Sequence, residues 1–327
     1  MEIRIFTRDL LLTDVYDGAE VIEAEDCFDS AGAFSLTVPI ADADRFFTEG
    51  IVYIPIADGA YVIERIRKDA DSMTAEIGGR GVLSYFERCA LVESATVHGM
   101  AEEVLLNLAQ AHGARALGAP LLTVDGGWTE RVNAVLGGTT VLSAMRTVCA
   151  QSGLGIRLGI TEGVFVFSVL TRTESEAFFS RDGGDLSDGE ARTDLKNYVN
   201  RVIVCASGGV RVTVEAAGLF SDGIDDTAYP LRERYHYAQE ITPDRYETEA
   251  AHRDALFFEG KRYLARRRPV RTASVSLTPE KAASLSVGTE AHVEDTLLGM
   301  DGKAYLSRKT FRADGTGTVY GAEMTLL

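Results

Sequence analysis

The sequence has few of the residue patterns on which metal sites and disulfide frameworks depend. Its four cysteines, Cys27, Cys89, Cys149 and Cys205, include no C-x-x-C pair, and its five histidines occur singly. Zinc sites take ligands in closely spaced pairs, so the sequence predicts no metal centre. Isolated thiols are typical of a protein in a reducing compartment, and we expect all four to be buried and unpaired.

Catalytic motifs are also missing. The glycine cluster at residues 78–81 has neither the Lys-Ser/Thr of a P-loop nor a G-x-G-x-x-G helix start, and no G-x-S-x-G occurs. Closely spaced carboxylates are frequent by chance in a chain with 49 acidic residues, and we interpret them as solvated surface. Examples are Glu23 with Glu25, Asp42 with Asp44, and Asp225 with Asp226. The sequence therefore predicts no enzyme, no catalytic, cofactor-binding or metal-binding residues, and no cofactor.

Positive charge and long apolar runs are scarce too. The chain has 33 Lys and Arg against 49 Asp and Glu, for a formal net charge of -16. Nonspecific phosphate binding needs clustered cations, so tight nucleic-acid binding is not expected. No apolar run approaches the ~18 residues of a membrane helix, and no leader pattern begins the chain. We expect an acidic, soluble protein made in the cytoplasm, which repels DNA.

Residues 27–89 contain a series of strand-like runs. Phe34, Leu36 and Val38 alternate with polar residues, which a half-buried strand requires, and Pro39 ends the run. Further runs follow at 60–67 and 72–81. This pattern predicts a compact β-barrel or sandwich of short strands.

The periodicity becomes helical after residue 97. Ala101, Leu105 and Leu108 share one helical face, and Gly113 ends this helix. A second helix is expected over 139–152, with Thr139 or Thr140 as N-cap and Gly153 at its end. Strands at 154–160 and 164–170 follow, joined by a turn at 161–163. Residues 96–172 thus predict a small α+β insert.

The last part of the chain returns to short strands. A helix is expected over 243–267, where Thr242-Pro243 supplies an N-cap and a proline at the first helical position. Hairpin turns are expected at Asp301-Gly302 and Asp314-Gly315. The expected strands are 177–181, 198–205, 209–216, 270–277, 290–294, 303–312 and 317–327.

Two charged segments leave alternatives open. The Gly- and Asp-rich residues 181–189 predict a loop, and they lack the ligand spacing and closing Glu of a calcium-binding EF-hand. The basic cluster is typical of a helix C-terminus, where the macrodipole favours cations. It would also fit an acidic surface on a neighbouring subunit. Its members are Lys261, Arg262, Arg266, Arg267, Arg268 and Arg271.

Several segments, in this order and spacing, resemble the siphophage tail hub family, which comprises baseplate hub proteins of tailed phages and phage tail-like particles. They are MEIRIFTRD (residues 1–9), GAFSLTVP (32–39), YVIE (61–64), GRGVL (79–83) with Arg88, AEEVL (101–105), SGLG (152–155), and FS (179–180) with NYVN (197–200). The resemblance covers most of the chain, and its clearest matches lie before residue 205.

The resemblance implies a mainly β, α+β subunit with two β-barrel domains in a ring-forming homotrimer. The first barrel would span residues 1–95, the α+β insert 96–172, and the second barrel, with its long helix near 243–267, residues 173–327. Such a ring closes the distal end of a tail tube and adapts its sixfold symmetry to a threefold tip. Since the chain ends at residue 327, we expect no C-terminal extension with a host-binding or wall-degrading domain.

The implied partners are a distal tail or tail tube protein, the tape measure protein, and central spike or fibre proteins. DNA would pass through the lumen without specific binding, and the chain would not insert into a membrane. The virion tail tip is the implied location, after assembly in the bacterial cytoplasm. As a hypothesis, carboxylates of the acidic loop at Asp222, Asp225 and Asp226 face the channel; the alternative is a solvated loop.

A carbohydrate-binding or peptidoglycan-acting tail tip protein is the main alternative. It would need an exposed aromatic platform around Trp128, or around Tyr235 and Tyr237. A secreted adhesin is disfavoured because no leader pattern is present and the cysteines do not pair.

Overall fold

The chain divides into two compact units. The computed structural model describes residues 2–92, 95–220, 225–268 and 270–327. Unit 1 comprises residues 1–190 and 274–327, and unit 2 comprises residues 191–273. In sequence, unit 2 is therefore an insertion into unit 1. The division into three domains at residues 95 and 172 stays a prediction.

Unit 1 begins with seven strands that pair antiparallel. They are Ile3–Phe6 (β1), Leu12–Tyr16 (β2), Val21–Cys27 (β3), Ala33–Pro39 (β4), Ile51–Ile54 (β5), Gly59–Asp69 (β6) and Thr74–Gly81 (β7). The predicted alternation in β4 is confirmed, because Phe34, Leu36 and Val38 are all buried. Strand order here is β3-β4-β7-β6-β5-β1-β2, which leaves β2 at one end.

A small α+β region follows. Its elements are Ala90–Leu91 (β8), Ala95–Met100 (β9), Ala101–Leu108 (α1), Leu121–Val124 (β10), Arg131–Leu136 (β11), Thr139–Thr140 (β12), Val141–Ser152 (α2), Gly155–Thr161 (β13) and Val164–Leu170 (β14). Both predicted ends of α2 are confirmed. The Thr140 hydroxyl accepts a hydrogen bond from the Ser143 amide at 3.2 Å, and Gly153 adopts a left-handed φ of 76°.

The predicted turn at residues 161–163 is also confirmed. It joins β13 to β14 in an antiparallel pair, and Gly163 supplies a φ of 80°. The pair of β9 with β11 was not expected from the sequence. Its two strands lie more than thirty residues apart, so no local turn pattern indicates their pairing.

Unit 2 is a three-stranded sheet covered by one long helix. The chain reaches it through Thr173–Ser180 (β15) and Leu186–Asp194 (β16), and its own elements are Arg201–Cys205 (β17), Arg211–Glu215 (β18), Glu233–Tyr237 (β19) and Glu249–Ala265 (α3). The strand order is β18-β17-β19, with β17 and β19 parallel. Across the described ranges no helix, α3 included, is both long and apolar enough to cross a membrane.

The predicted start of α3 at residue 243 is wrong. Pro243–Arg245 form a separate 3-10 turn, and the α-helix begins at Glu249. The Thr248 hydroxyl accepts a hydrogen bond from the Ala251 amide at 3.1 Å, whereas the Thr242 side chain makes no capping bond. The threonine that satisfies a free helical amide therefore sets the boundary.

The chain then completes unit 1 with Val270–Leu277 (β20), Pro279–Ala283 (α4), Thr289–Asp295 (β21), Met300–Asp314 (β22) and Gly317–Leu326 (β23). The turn at Asp314-Gly315 is confirmed, but the one at Asp301-Gly302 is wrong because both residues lie within β22. The turn lies at residues 296–299 instead. Asp295 accepts hydrogen bonds from the Leu297 and Leu298 amides there, at 3.1 and 3.3 Å.

The first and last strands of unit 1 share one sheet of 13 strands. Its main path is β16-β20-β23-β22-β3-β4-β7-β6-β5-β1-β2, with β21 on β22 and β15 on β21. The join is the antiparallel pairing of β3 with β22, from Arg308 opposite Cys27 to Asp314 opposite Val21. No sheet of the described residues closes on itself, so the strand pairings do not confirm the two barrels that the resemblance implies.

The glycine cluster at residues 78–81 belongs to this sheet. A Cβ built on Gly79 would overlap the carbonyl oxygen of Val62, opposite a bulge in β6. Only glycine allows the two strands to approach this closely. Arg80 donates two hydrogen bonds to Glu64, both 2.9 Å long, and also pairs with Glu87. The cluster is therefore built into a strand rather than a phosphate-binding loop.

The four cysteines are free thiols. Cys89, Cys149 and Cys205 are buried as predicted, whereas Cys27 is half-buried. Burial raises the pKa of Cys149 to about 12 and that of Cys27 to about 11. Both therefore remain protonated and weakly nucleophilic at neutral pH.

Candidate assembly surfaces

Two charged side chains of the loop at residues 181–189, Arg181 and Asp185, stabilise the fold. Arg181 donates two hydrogen bonds to the fully buried Asp295, at 2.9 and 2.7 Å. Asp185 accepts from the Ser180 amide at 3.2 Å and lies 3.2 Å from Lys281. Residues from Leu186 onward belong to β16 rather than to a loop. In the part of the chain that the structure describes, no three metal-ligating side chains come together.

The three aspartates of the acidic loop differ in what the structure shows of them. Asp226 is buried, accepts a hydrogen bond from the Tyr198 hydroxyl at 2.6 Å, and pairs with Arg268. Asp225 caps the following turn by accepting from the Thr227 amide at 3.0 Å. Asp222 lies outside the described residues. Asp226 thus stabilises unit 2, and a channel-facing role for it is wrong because its carboxylate is enclosed and paired.

The basic cluster is split between the interior and the surface of unit 2. Arg267 stacks over the Tyr263 ring at 3.6 Å, and Arg268 over Phe220 at 4.6 Å, both as cation–π contacts. Arg262 pairs with Glu259 at 2.6 Å. Lys261 and Arg266 are exposed. The structure does not describe the side chain of Arg271. Only part of the cluster is therefore available to a partner.

Trp128 is held against the core and offers no open platform. The buried carboxylate of Glu102 accepts hydrogen bonds from the Gly126 and Trp128 amides, both at 2.6 Å. The indole then donates to the Val169 carbonyl at 3.3 Å. The ring packs on the core of the α+β region. This loop is fixed by a side chain 24 residues earlier, which the sequence pattern did not indicate.

Tyr235 and Tyr237, in contrast, are 59% and 47% exposed. They lie two residues apart on β19, so their side chains share one face of the strand. Tyr235 is opposite Ile203 of β17, and Tyr237 is opposite Cys205. We call these two side chains the tyrosine face.

The outer side of α3 carries a second aromatic surface. Its inner side packs Leu256 and Leu264 on the sheet, and a Cβ at Gly260 would press on Val214. Phe257 and Phe258 nevertheless point outward and are 37% and 65% exposed. Together with Lys261 and Arg266 they form what we call the α3 surface. The sequence signal was present, because apolar residues occur on both sides of this helix.

A third surface lies at the β2 end of the large sheet. Leu11, Leu12 and Val15 are 63%, 55% and 46% exposed, and we call them the β2 surface. The backbone of this edge strand is partly occupied by side chains. Asp14 accepts a hydrogen bond from the Val15 amide at 2.8 Å, and Arg45 donates to the Val15 carbonyl at 3.3 Å. This arrangement opposes the addition of another strand.

A cavity of about 230 Å³ lies beside the β2 surface. Its apolar lining comes from Phe6, Leu10, Tyr53 and Ile160, and Phe6 pairs with Leu12 across the β1–β2 ladder. Glu162 lies on its rim, and its one cation, Arg4, is 3.0 Å from Glu2.

The two units carry very different charge. Unit 2 contains 14 Lys and Arg and 12 Asp and Glu, for a formal charge of +2. Unit 1 therefore has a formal charge of -18. The acidic character of the chain is confined to unit 1, whereas unit 2 carries the aromatic and cationic α3 surface.

Solved structures of phage tail proteins share this fold over almost their entire length. The prophage MuSo2 43 kDa tail protein from Shewanella oneidensis aligns with a TM-score of 0.58 and 15% identity, covering 100% of this chain and 98% of that chain. A prophage tail protein from Listeria monocytogenes aligns with a TM-score of 0.55 and 12% identity, covering 99% and 94%.

A chain in the phage P2 baseplate, in its activated conformation, aligns with a TM-score of 0.51 and 8% identity, covering 99% and 98%. No protein-family model matches the sequence, and no curated protein matches it. The chain thus has the fold of phage tail and baseplate proteins, and the predicted likeness to the tail hub family is confirmed at the level of fold.

Proposed function

We propose that this protein is a structural subunit of a phage tail tip, or of a related tail-like particle. The observation that carries the proposal is the fold, which matches tail and baseplate proteins over nearly the whole of both chains. Identity of 8–15% means that the shared feature is architecture. Ring subunits act by geometry, so architecture is the property that such a role preserves.

The proposed assembly is a homotrimeric ring that closes the distal end of the tail tube. Two β-rich halves per subunit, the first and the last strands of the large sheet, would give six similar positions around the ring, matching a sixfold tube on one side and a threefold tip on the other. Its neighbours would be a distal tail or tube protein, the tape measure protein, and a central spike or fibre. The exposed apolar side chains of both units support this proposal, because such patches mark interaction sites.

Unit 1 would repel the DNA that passes through the ring. Its formal charge of -18 opposes the phosphate backbone, and this repulsion keeps DNA from adhering. We expect no retardation of duplex DNA in a gel at low salt, where any phosphate binding would be strongest. A slowed band there would contradict passage without binding.

The mass in solution tests the ring. We expect a particle of three times the 35.4 kDa monomer mass, with negative-stain images of threefold rings. The experiment should be run over a range of protein concentrations, because ring assembly is governed by mass action. A monomer that persists at the highest concentration would refute the proposal.

The tyrosine face keeps a carbohydrate-binding role as a second candidate. Two exposed tyrosines on one strand offer flat, amphipathic rings of the kind that stack on sugars. In that case purified peptidoglycan would retain the wild-type protein but not the Tyr235→Ala/Tyr237→Ala variant. If peptidoglycan retained both proteins equally, or retained neither, the carbohydrate-binding role would be refuted and only the structural role would remain.

A further inference from the structure

We infer that the α3 surface of one copy docks against the cavity and β2 surface of the next copy. The inference rests on the proposed self-association and names the two surfaces that make it. Phe258 would insert its ring between Leu12 and the apolar wall of the cavity. The contact is between different surfaces, so each copy offers one of each.

The projecting group is a large apolar side chain outside the core of its own unit, where its ring contacts that of Phe257 edge to face. Phe258 is 65% exposed, although Leu256, two positions earlier, is fully buried. Its neighbours one turn away on the same side of the helix are Ala255 and three charged residues, Asp254, Lys261 and Arg262. None of them is a large apolar side chain that would cover the ring, so Phe258 can enter a recess on another molecule.

The receiving group is a recess with one apolar wall and a polar rim of Arg4, Thr161 and Glu162. The cavity of about 230 Å³ has walls from Phe6, Leu10, Tyr53 and Ile160. Burying an aromatic ring in such a recess removes apolar area from water on both sides, which is the usual energetic centre of an interface. The exposed Leu11, Leu12 and Val15 extend the apolar contact beyond the cavity.

The side chains bonded to the backbone of edge strand β2 indicate that a helix, rather than a strand, fits there. Asp14 and Arg45 occupy the amide and carbonyl of Val15 on the free edge of β2. A strand that paired there would have to displace both side chains. A helix makes no demand on this backbone and contacts it through side chains alone, as the outer side of α3 would.

Charge supports a second copy of this chain as the partner. The α3 surface carries Lys261 and Arg266 with one exposed carboxylate, Asp254. Near the β2 surface lie exposed Asp9 and Asp17, and Glu162 is on the rim of the cavity. The two cations beside β2 already have partners, since Arg45 pairs with Asp14 and Arg8 donates to the Ala116 carbonyl. Opposite charges would therefore meet around an apolar centre, which sets orientation and suppresses wrong partners. Unit 2 at +2 and unit 1 at -18 attract each other between copies, although two whole chains of -16 repel.

A contact between two different surfaces propagates from copy to copy and gives a ring when the rotation closes. Cross-linking in trans tests the contact directly. One sample carries Leu11→Cys and a first affinity tag, and the other carries Ala265→Cys and a second tag. Both positions are exposed and leave Phe258 in place. The samples are mixed, concentrated and treated with a short bis-maleimide.

We expect a product of twice the 35.4 kDa monomer mass that carries both tags. Leu297→Cys, 79% exposed on the β21–β22 turn, replaces Leu11→Cys in the control and should give no such product. The wild type reports any reaction of half-buried Cys27. Threefold rings without the product would overturn this inference and leave the proposed function intact. Persistent monomers without the product would overturn both.

Measuring the affinity of ring assembly in variants separates the apolar contribution to the contact from the electrostatic one. Phe258→Ala should weaken ring assembly by about 30-fold per contact, the effect expected of an interface hot spot. Phe178→Ala, which removes a phenylalanine that is 52% exposed on β15, is the matched control. Lys261→Glu should weaken assembly, and adding Asp17→Lys should restore it. Unchanged assembly in Phe258→Ala, or a charge swap without recovery, would count against the contact.

Discussion

The Glu102 carboxylate should govern the stability of the α+β region. It is 2% exposed and accepts hydrogen bonds from two amides, those of Gly126 and Trp128, each at 2.6 Å. A hydrogen bond to a charged acceptor contributes about 1.5 kcal/mol at the lower end of the measured range. Glu102→Ala removes both bonds, so we expect it to lower the free energy of unfolding by about 3 kcal/mol.

The assay uses the only tryptophan of the chain. Trp128 sits in the loop that Glu102 holds, so its fluorescence reports this region alone. Urea titration followed by Trp128 emission should give a lower midpoint for Glu102→Ala, and the native emission should shift to the red as the indole gains water. Glu102→Gln keeps one carbonyl oxygen as an acceptor. We therefore expect it to lower the free energy of unfolding by about half as much as Glu102→Ala does.

Glu103→Ala is the matched control. Glu103 is the next residue on the same helical turn, but it is exposed. Its replacement should change the free energy of unfolding by no more than about 0.5 kcal/mol. Equal midpoints for Glu102→Ala and Glu103→Ala would refute the assignment. A native Trp128 emission that is already red in the wild type would do the same, since it would place the indole in water.

Three further predictions concern the framework. Arg181 holds the pKa of Asp295 below its ordinary value of 3.8, so this ion pair should stabilise unit 1 fully above about pH 4 and less as pH falls through the lowered pKa. Thermal unfolding from pH 7 to pH 2 should show the loss, and Asp295→Asn should flatten it. Gly79→Ala should prevent soluble expression because its Cβ overlaps the neighbouring strand, whereas Gly302→Ala, with open space around it, should express normally. Thr248→Ala should lower unit 2 stability by about 1 kcal/mol through loss of the N-cap, measured by denaturant titration; no change would place the start of α3 elsewhere.

Local patterns allowed much of the secondary structure to be predicted. Alternation identified β4, and caps identified both ends of α2, because each signal acts within a few residues. β19 was missed since its sequence, ERYHY, alternates charged and aromatic residues without an aliphatic side. Asp301-Gly302 was misread as a turn because the pair fits one by composition, while the carboxylate of Asp295 fixes the turn earlier.

Contacts between distant residues were beyond such patterns. The burial of Asp226 depends on Arg268, 42 residues later, and nothing near Asp226 in sequence indicates that pairing. The 13-stranded sheet depends likewise on the register of β3 with β22. Phe258 and Leu12 are apolar, so the sequence alone does not distinguish them from core residues. Their exposure in the folded chain identifies them as surface side chains.

The pairing of β3 with β22 also determines how late in synthesis the large sheet can be completed. Strand β3 is complete when Cys27 has been made, yet its partner arrives with Arg308 and the residues after it, about 280 residues later. At ribosomal speeds of 5–20 residues per second, the wait is roughly 15–60 s. During that time one side of β3 has no backbone partner, and it is open to mispairing with other nascent chains. Unit 2 is synthesised within this interval, so the last strands can complete the sheet only after the whole of unit 2 has been made and has had time to fold.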